Sequence, residues 1–161
     1  MTLKRIFCTT MPITSPRRIQ VAREFVRLGF GDAIDHDAPF SSHDFLTQVL
    51  TTTEAQAVIP VVAQYNAFDG NKVAQAIGRF KGRVSGWQFG SAGSPLLLAV
   101  FAYWTHQVDD TPPRTPSGRP FTEEERASLV DELRNVFLNE LGADKFEQDP
   151  STESKFGAWW D

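Results

Sequence analysis

Residues 68–80 read FDGNKVAQAIGRF, and this stretch decides the fold class. Its first part, Asp69-Gly70-Asn71, is typical of a turn that leads into a helix. Apolar residues then recur at the spacing of one helix face, at Val73, Ala76, Ile77 and Phe80. This periodicity predicts a helix of about three turns that ends before Gly82.

Strands are predicted on both sides of this helix. The run Ala57–Ala63 (AVIPVVA) precedes it and is typical of a buried strand, with Pro60 near an edge or the end of the strand. The run Val84–Phe89 (VSGWQF) follows it as a further candidate strand. Near the start of the chain, Lys4–Thr10 (KRIFCTT) is rich in β-branched and aromatic residues and predicts a first strand.

Four further helices are predicted, each from a proline after a serine or from a capping box. They begin at Ser15-Pro16, Ser41–Asp44, Ser94-Pro95 and Thr122–Glu125. The first ends at Gly29, the second is short and covers Phe45–Leu50, and the third covers Leu96–Val108. The fourth ends at Gly142, the residue type that commonly ends a helix.

This order of elements predicts an α/β or α+β fold. We expect a small mixed sheet of about three or more short strands, packed by about five helices. Residues 1–142 are predicted to form a single globular domain, with a proline-rich loop or linker at 109–120. Residues 143–161 are predicted to be a C-terminal tail with aromatic anchors.

The composition of the chain excludes several classes of protein. The chain has 161 residues and a single cysteine, Cys8, which excludes internal disulfides and zinc sites of the CxxC type. The longest apolar run, Pro95–Trp104, is far shorter than the ~20 residues of a membrane-spanning helix. The first residues lack the apolar core of a signal peptide. We therefore expect a cytoplasmic protein with no membrane partner.

The formal net charge of −4 conceals four blocks of alternating sign. Residues 1–31 hold six basic groups and one acidic group, and residues 70–108 hold four basic groups and no acidic group. Residues 32–69 hold six acidic groups without lysine or arginine, and residues 109–161 hold thirteen acidic and six basic groups. Such blocks can form local binding surfaces or neutralise each other in the fold. The net charge therefore does not exclude a ligand that carries phosphate.

The start of the predicted helix after Asp69 is a candidate phosphate site. Backbone N–H groups at a helix start attract phosphate, and a glycine lets a ligand approach the backbone. Basic side chains further along the same face add positive charge. The candidate phosphate-binding residues are Gly70, Asn71, Lys72, Arg79 and Arg83. The alternative is an ordinary helix cap followed by a solvated basic face.

These residues resemble the phosphate-binding turn of ParB/sulfiredoxin-like folds. In that family a strand leads into a glycine turn with basic residues and then into an alanine-containing helix, as predicted for residues 57–83 with the turn at Phe68–Lys72. Val73 stands where the family has an arginine, so Lys72 would supply the charge. Asn71 stands in place of the sulfiredoxin cysteine, so sulfiredoxin chemistry is not implied. The resemblance implies binding of ATP or nucleic acid, with phosphoester hydrolysis as the associated reaction.

A second candidate site lies in the acidic loop predicted for residues 30–40. Carboxylates can hold Mg²⁺ or Mn²⁺, and a metal held there can activate water against a phosphodiester. The candidate metal ligands are Asp32, Asp35, His36 and Asp37, and the candidate catalytic acids are Asp35, Asp37 and Asp69. The alternative is an acidic loop that is simply solvated.

Aromatic residues near the C-terminus form a third candidate site. Phe156, Trp159 and Trp160 are costly to leave in water and should dock on the domain itself or on a partner protein. Two functions of different classes follow. The first is a small nucleotide- or nucleic-acid-binding protein that hydrolyses ATP or a phosphodiester, with ATP and Mg²⁺ or Mn²⁺ as cofactors. The second is a non-enzymatic inhibitor or adaptor that binds a protein partner through its acidic, tryptophan-containing C-terminal region.

Overall fold

A computed structural model describes residues 16–30, 44–101, 115 and 117–161. Its helices are α1 (Pro16–Gly29), α2 (Thr52–Val58), α3 (Gly70–Ile77) and α4 (Glu123–Arg134). Short 3₁₀ helices follow α2 and α3 at Ile59–Val61 and Gly78–Phe80, and a π-helix at Asn135–Glu140 continues α4. Its strands are β1 (Phe45–Leu46), β2 (Gln64–Tyr65), β3 (Phe68–Asp69), β4 (Gly86–Ser91), β5 (Pro95–Val100), β6 (Lys145–Gln148) and β7 (Lys155–Trp159).

Five of these strands form one sheet in the order β1-β4-β5-β7-β6, and β2 and β3 form a separate hairpin. The structure confirms the prediction that helices and strands are combined in one fold. The predicted mixed sheet is wrong for the described part of the chain, where all strand pairs are antiparallel. The described residues also contain four α-helices rather than about five. A separate antiparallel sheet packed by helices is typical of the α+β class.

The hydrophobic core lies between the helices and one face of this sheet. Antiparallel partners share a face, so Trp87, Ala99 and Phe156, which are paired across β4, β5 and β7, point to the same side. They belong to one buried cluster with side chains from all four helices. The indole N–H of Trp87 donates to Oγ1 of Thr52 at 3.1 Å. This bond fixes the start of α2 over the sheet.

The apolar run after Ser94 forms β5. The predicted helix over Leu96–Val108 is therefore wrong as far as Phe101, the last described residue of that run. Every residue of β5 is buried, because both faces of the strand are covered. The polar alternation that marks a strand is then missing, and a continuous apolar run cannot be told from a buried helix by periodicity.

The segment before α2 is extended, so the predicted short helix over Phe45–Leu50 is wrong. Phe45 and Leu46 pair with β4, and Leu50 forms a bridge with Trp87. Pairing with a distant strand supplies the hydrogen bonds that a helix would otherwise supply. Most of the proposed capping box, residues 41–43, lies outside the described residues.

The predicted strand Ala57–Ala63 is also wrong. Thr51 and Glu54 form a capping box that begins α2 further upstream, and the helix runs to Val58. Pro60 lies in the first turn of the next 3₁₀ helix, where its missing N–H removes no helical hydrogen bond. The capping signal at Thr51 therefore decides this region, and the apolar run is the buried face of a helical segment.

Three predicted helix starts are confirmed, at Pro16, at Asp69-Gly70 and at Thr122. The candidate strand over Val84–Phe89 is present as β4. The predicted strand Lys4–Thr10 lies outside the described residues, as does most of the proline-rich segment 109–120. Residues 143–161 contribute β6 and β7 to the main sheet.

The capping box of α4 makes its stability dependent on pH. A hydrogen bond from Arg119, supported by the backbone N–H of Thr122, lowers the pKa of Glu125 from 4.5 to about 2. A lowered pKa in the folded state stabilises the fold above pH 4.5, and this contribution is lost as the pH falls from 4.5 towards 2.

We expect Glu125→Gln to lower the melting temperature at pH 7. The difference in melting temperature from the wild type should shrink as the pH falls from 4.5 towards 2. Glu124→Gln is the control, because Glu124 is exposed and its carboxylate forms no ion pair among the described residues, whereas Glu125 is paired with Arg119. A difference that stays constant from pH 7 to pH 2 would contradict the assigned pKa.

Candidate functional site

The start of α3 is capped by a carboxylate of the chain itself. Oδ1 of Asp69 accepts hydrogen bonds from the backbone N–H groups of Asn71 and Lys72, both at 3.0 Å. The ammonium of Lys72 lies 3.5 Å from the other oxygen, Oδ2. The backbone hydrogen bond from Lys72 is the main reason that the pKa of Asp69 is lowered. The donors that were predicted to hold phosphate therefore already hold Asp69, which was also a candidate catalytic acid.

Gly70 brings two parts of the backbone together. It is buried, and a Cβ added to it would overlap the carbonyl oxygen of Val62 and lie 2.8 Å from that of Ile59. Its N–H donates to the carbonyl of Ala63 at 3.1 Å. The sequence suggested that a ligand approaches the backbone of Gly70 closely. In the structure the 3₁₀ helix that follows α2, and not a ligand, lies against this glycine.

The other two basic residues of the candidate phosphate site are paired with acids of the C-terminal third. Nη2 of Arg79 lies 2.8 Å from Oε2 of Glu140, at the end of the π-helix. Arg83 donates two hydrogen bonds to Glu132, one of them at 2.9 Å from Nη1. This pairing raises the pKa of Arg83 and lowers that of Glu132. At these positions the basic block 70–108 and the acidic block 109–161 neutralise each other.

Two of the three predicted interface aromatics are part of the core. Phe156 is buried, and Trp160 is fully buried with its ring 5.0 Å from that of Phe68. The indole N–H of Trp160 donates to the carbonyl of Leu141 at 3.0 Å. Trp159 points to the opposite side of β7 and is half-buried. Docking on the domain itself therefore accounts for Phe156 and Trp160.

The candidate metal ligands lie outside the described residues, so the structure does not show whether they lie near Asp69. They are Asp32, Asp35, His36 and Asp37. Within the described ranges, no group of three or more histidine, cysteine, aspartate or glutamate side chains could hold a metal ion. The metal site stays a prediction.

The polar face of α1 carries arginines that the described residues do not neutralise. Arg17 and Arg23 are exposed and form no ion pair within that part of the chain, whereas Arg27 is bound to Glu24 at 2.7 Å. An open groove of about 520 Å³ runs along this face. It is lined by Pro16, Ile19, Gln20, Arg23, Glu24, Arg27 and Val61. The sequence indicated a basic block at residues 1–31, but it did not indicate that two of its arginines stay unpaired.

A second side of α1 is apolar and exposed. Val21, Phe25 and Leu28, which we call the apolar stripe, are 59%, 44% and 64% exposed. Leu46 on β1 is 38% exposed, and these four are all the large hydrophobic side chains that the described residues expose. The rings of Phe25 and Phe45 meet edge to face at 5.0 Å, so the stripe adjoins β1.

Arg18 anchors α1 and joins it to α2. Nε of Arg18 lies 3.3 Å from Oε1 of Glu54, a carboxylate with no exposed surface, and Nη2 donates to the carbonyl of Val49 at 3.1 Å. Oε2 of Glu54 accepts the capping hydrogen bond from the N–H of Thr51 at 2.9 Å. Arg18 therefore has a structural partner, unlike Arg17 and Arg23, and it holds the polar face of α1 in a fixed direction.

Compared with protein-family models, curated protein sequences and solved structures, the chain matches none of them. The resemblance of residues 57–83 to ParB/sulfiredoxin-like folds therefore stays a prediction. No helix in the described ranges is long and apolar enough to span a membrane.

Proposed function

We propose that this protein binds nucleic acid through the polar face of α1, by contacts of its arginines with backbone phosphates. One observation carries the proposal. Arg17 and Arg23 are exposed on one helix and have no acidic partner among the described residues. Guanidinium groups bind phosphate oxygens with two hydrogen bonds at once, and phosphate contacts supply most of the affinity of non-specific nucleic-acid binding.

The basic residues of α3 and of the segment after it are poorer candidates for the same role. Phosphate would have to displace Glu140 from Arg79 and Glu132 from Arg83, and both carboxylates would remain nearby and repel it. At the start of α3 it would have to displace Asp69 from the helix cap. We therefore place the proposed contact on α1 and not at the turn that the sequence favoured.

Hydrolysis of ATP or of a phosphodiester stays a prediction for Asp35, Asp37 and a bound Mg²⁺ or Mn²⁺. Binding of a protein partner through the C-terminal region also stays a prediction. Phe156 and Trp160 are buried, so Trp159 is the one of the three aromatics that is more than slightly exposed to such a partner.

Neutralising Arg17 and Arg23 is expected to weaken the binding of nucleic acid and to make that binding less dependent on salt concentration. Each lost phosphate contact lowers the slope of log affinity against log salt by about 0.9, so Arg17→Gln with Arg23→Gln should lower it by about 2. The measurement is fluorescence anisotropy with a labelled DNA duplex of about 20 base pairs, at salt concentrations from about 50 to 200 mM.

The chain offers a matched control with the same change of charge. Arg79→Gln with Arg83→Gln removes two arginines that are already paired, so the slope should stay that of the wild type. A slope lowered by the control pair but not by the α1 pair would place the contact on the segment that follows α3. Wild-type binding without salt dependence would overturn the proposal, and a parallel titration with ATP tests the prediction of a nucleotide ligand.

A further inference from the structure

The edge of the main sheet at β1 is incomplete among the described residues. β1 is the end strand in the order β1-β4-β5-β7-β6, and it pairs with β4 on one side only. Its other edge presents backbone N–H and C=O groups that need partners. The apolar stripe of α1 borders this edge, since Phe25 contacts Phe45 and a Cβ on Gly29 would overlap the Phe45 ring.

The described residues cover only part of the apolar surface of α1. Ala22 and Val26 are buried on one side of the helix, while Val21, Phe25 and Leu28 stay exposed on the adjacent side. Leu46 extends this exposed surface onto β1. Contiguous exposed apolar surface marks a place where another segment packs. A strand beside β1 would lie under the stripe and complete both the sheet edge and the helix contact.

We propose that Lys4–Thr10 of the same chain forms this strand, parallel to β1, and covers the apolar stripe. The segment has the composition of a strand, and only residues 11–15 separate it from Pro16. At roughly 3.3 Å per residue these five residues span about 17 Å, enough to turn from the start of α1 back along the helix.

The order of elements fits the same placement. A strand before α1, then α1, then β1 is the arrangement in which a helix connects two neighbouring parallel strands. Such helices pack on the sheet with their apolar side, which is where the stripe lies. The placement does not depend on nucleic-acid binding by α1.

Amide hydrogen exchange of the intact protein, followed by mass spectrometry, tests the proposal. Backbone pairing with β1 protects the alternate amides of residues 4–10 that face β1, and we expect these to exchange more than about tenfold slower than in an unstructured peptide. Phe25→Asp, which places a charge in the stripe, should abolish this protection. Gln20→Asp places the same charge on the polar face of α1 and should leave it intact.

Labelling of Cys8 with a thiol reagent gives a second readout, because it is the only cysteine in the chain. We expect Phe25→Asp to speed labelling relative to Gln20→Asp, while slow exchange in β4 shows that both variants are folded. Exchange of residues 4–10 at the rate of a free peptide in the wild type would overturn the proposal. Protection that disappears on dilution would overturn it as well, since it would identify a second copy of the chain as the occupant.

Discussion

Replacement of Trp160 by alanine is expected to lower the free energy of unfolding by about 4 kcal/mol, in the middle of the range for buried aromatic residues. The ring has no exposed surface and packs edge to face against Phe68 and Phe137, at centroid distances of 5.0 and 6.1 Å. Alanine would leave a cavity between the sheet and the end of the π-helix, and it would leave the carbonyl of Leu141 without its indole donor. Urea denaturation followed by circular dichroism measures the change.

Two variants separate the contributions to this loss. Trp160→Phe keeps most of the packing and loses the hydrogen bond to Leu141, so we expect it to cost about 1–2 kcal/mol. Trp159→Ala should cost less than Trp160→Ala, because Trp159 is only half-buried. If Trp160→Ala changed stability by less than about 1 kcal/mol, the ring would not belong to the core. The C-terminal aromatics would then be free for a partner, as the sequence suggested.

Replacement of Gly70 by alanine is expected to lower the free energy of unfolding by about 3 kcal/mol, although alanine is the better helix former. The new methyl group would overlap the carbonyl oxygen of Val62 and crowd that of Ile59, and both are backbone atoms that cannot rotate away. Relief requires α3 to move away from the 3₁₀ helix after α2. The midpoint of urea denaturation gives the size of the effect.

Gly78→Ala is the matched control for this prediction. Its methyl group would approach Nε2 of Gln56 to 2.8 Å, which is the end of a side chain that can move aside at the cost of one hydrogen bond to Ala74. We expect a loss of about 1 kcal/mol. If Gly70 instead served a phosphate ligand, alanine there would reduce ligand binding and leave stability nearly unchanged. The two substitutions together therefore distinguish a backbone contact from a ligand contact.

The sequence predicts the elements that are determined by residues close together in the chain. It fails for the elements that are determined by residues far apart in the chain. Asp69 and the Thr122–Glu125 pair begin helices through hydrogen bonds that span two or three residues, so their signals are legible in the sequence. β5 is extended because β4 and β7 flank it on both sides, and its uniformly apolar residues carry no trace of those neighbours.

The same distinction applies to the candidate site, where the sequence shows the charges but not their ion-pair partners. Positive charge at Arg79 and Arg83 can be read from the sequence, and so can the basic block that includes α1. The partners Glu140 and Glu132 lie far along the chain, and only the fold brings them to those arginines. Whether a cation is available to a ligand is therefore a property of tertiary structure. That is why the arginines of α1, and not the turn at Gly70, carry the proposed contact.

The position of β7 between β5 and β6 has a consequence for how the chain folds. β4 and β5 are joined by a short turn and can form a hairpin early, because closing a short loop costs little entropy. β7 pairs Ala158 with Leu97, across the whole of α4, so this contact requires a long loop to close first. Long-range pairing of this kind slows folding. Until β7 pairs with β5, the edge of β5 that faces away from β4 has no strand partner. We expect newly made chains to be most prone to associate with one another during this interval, because strands of other chains can pair with that edge.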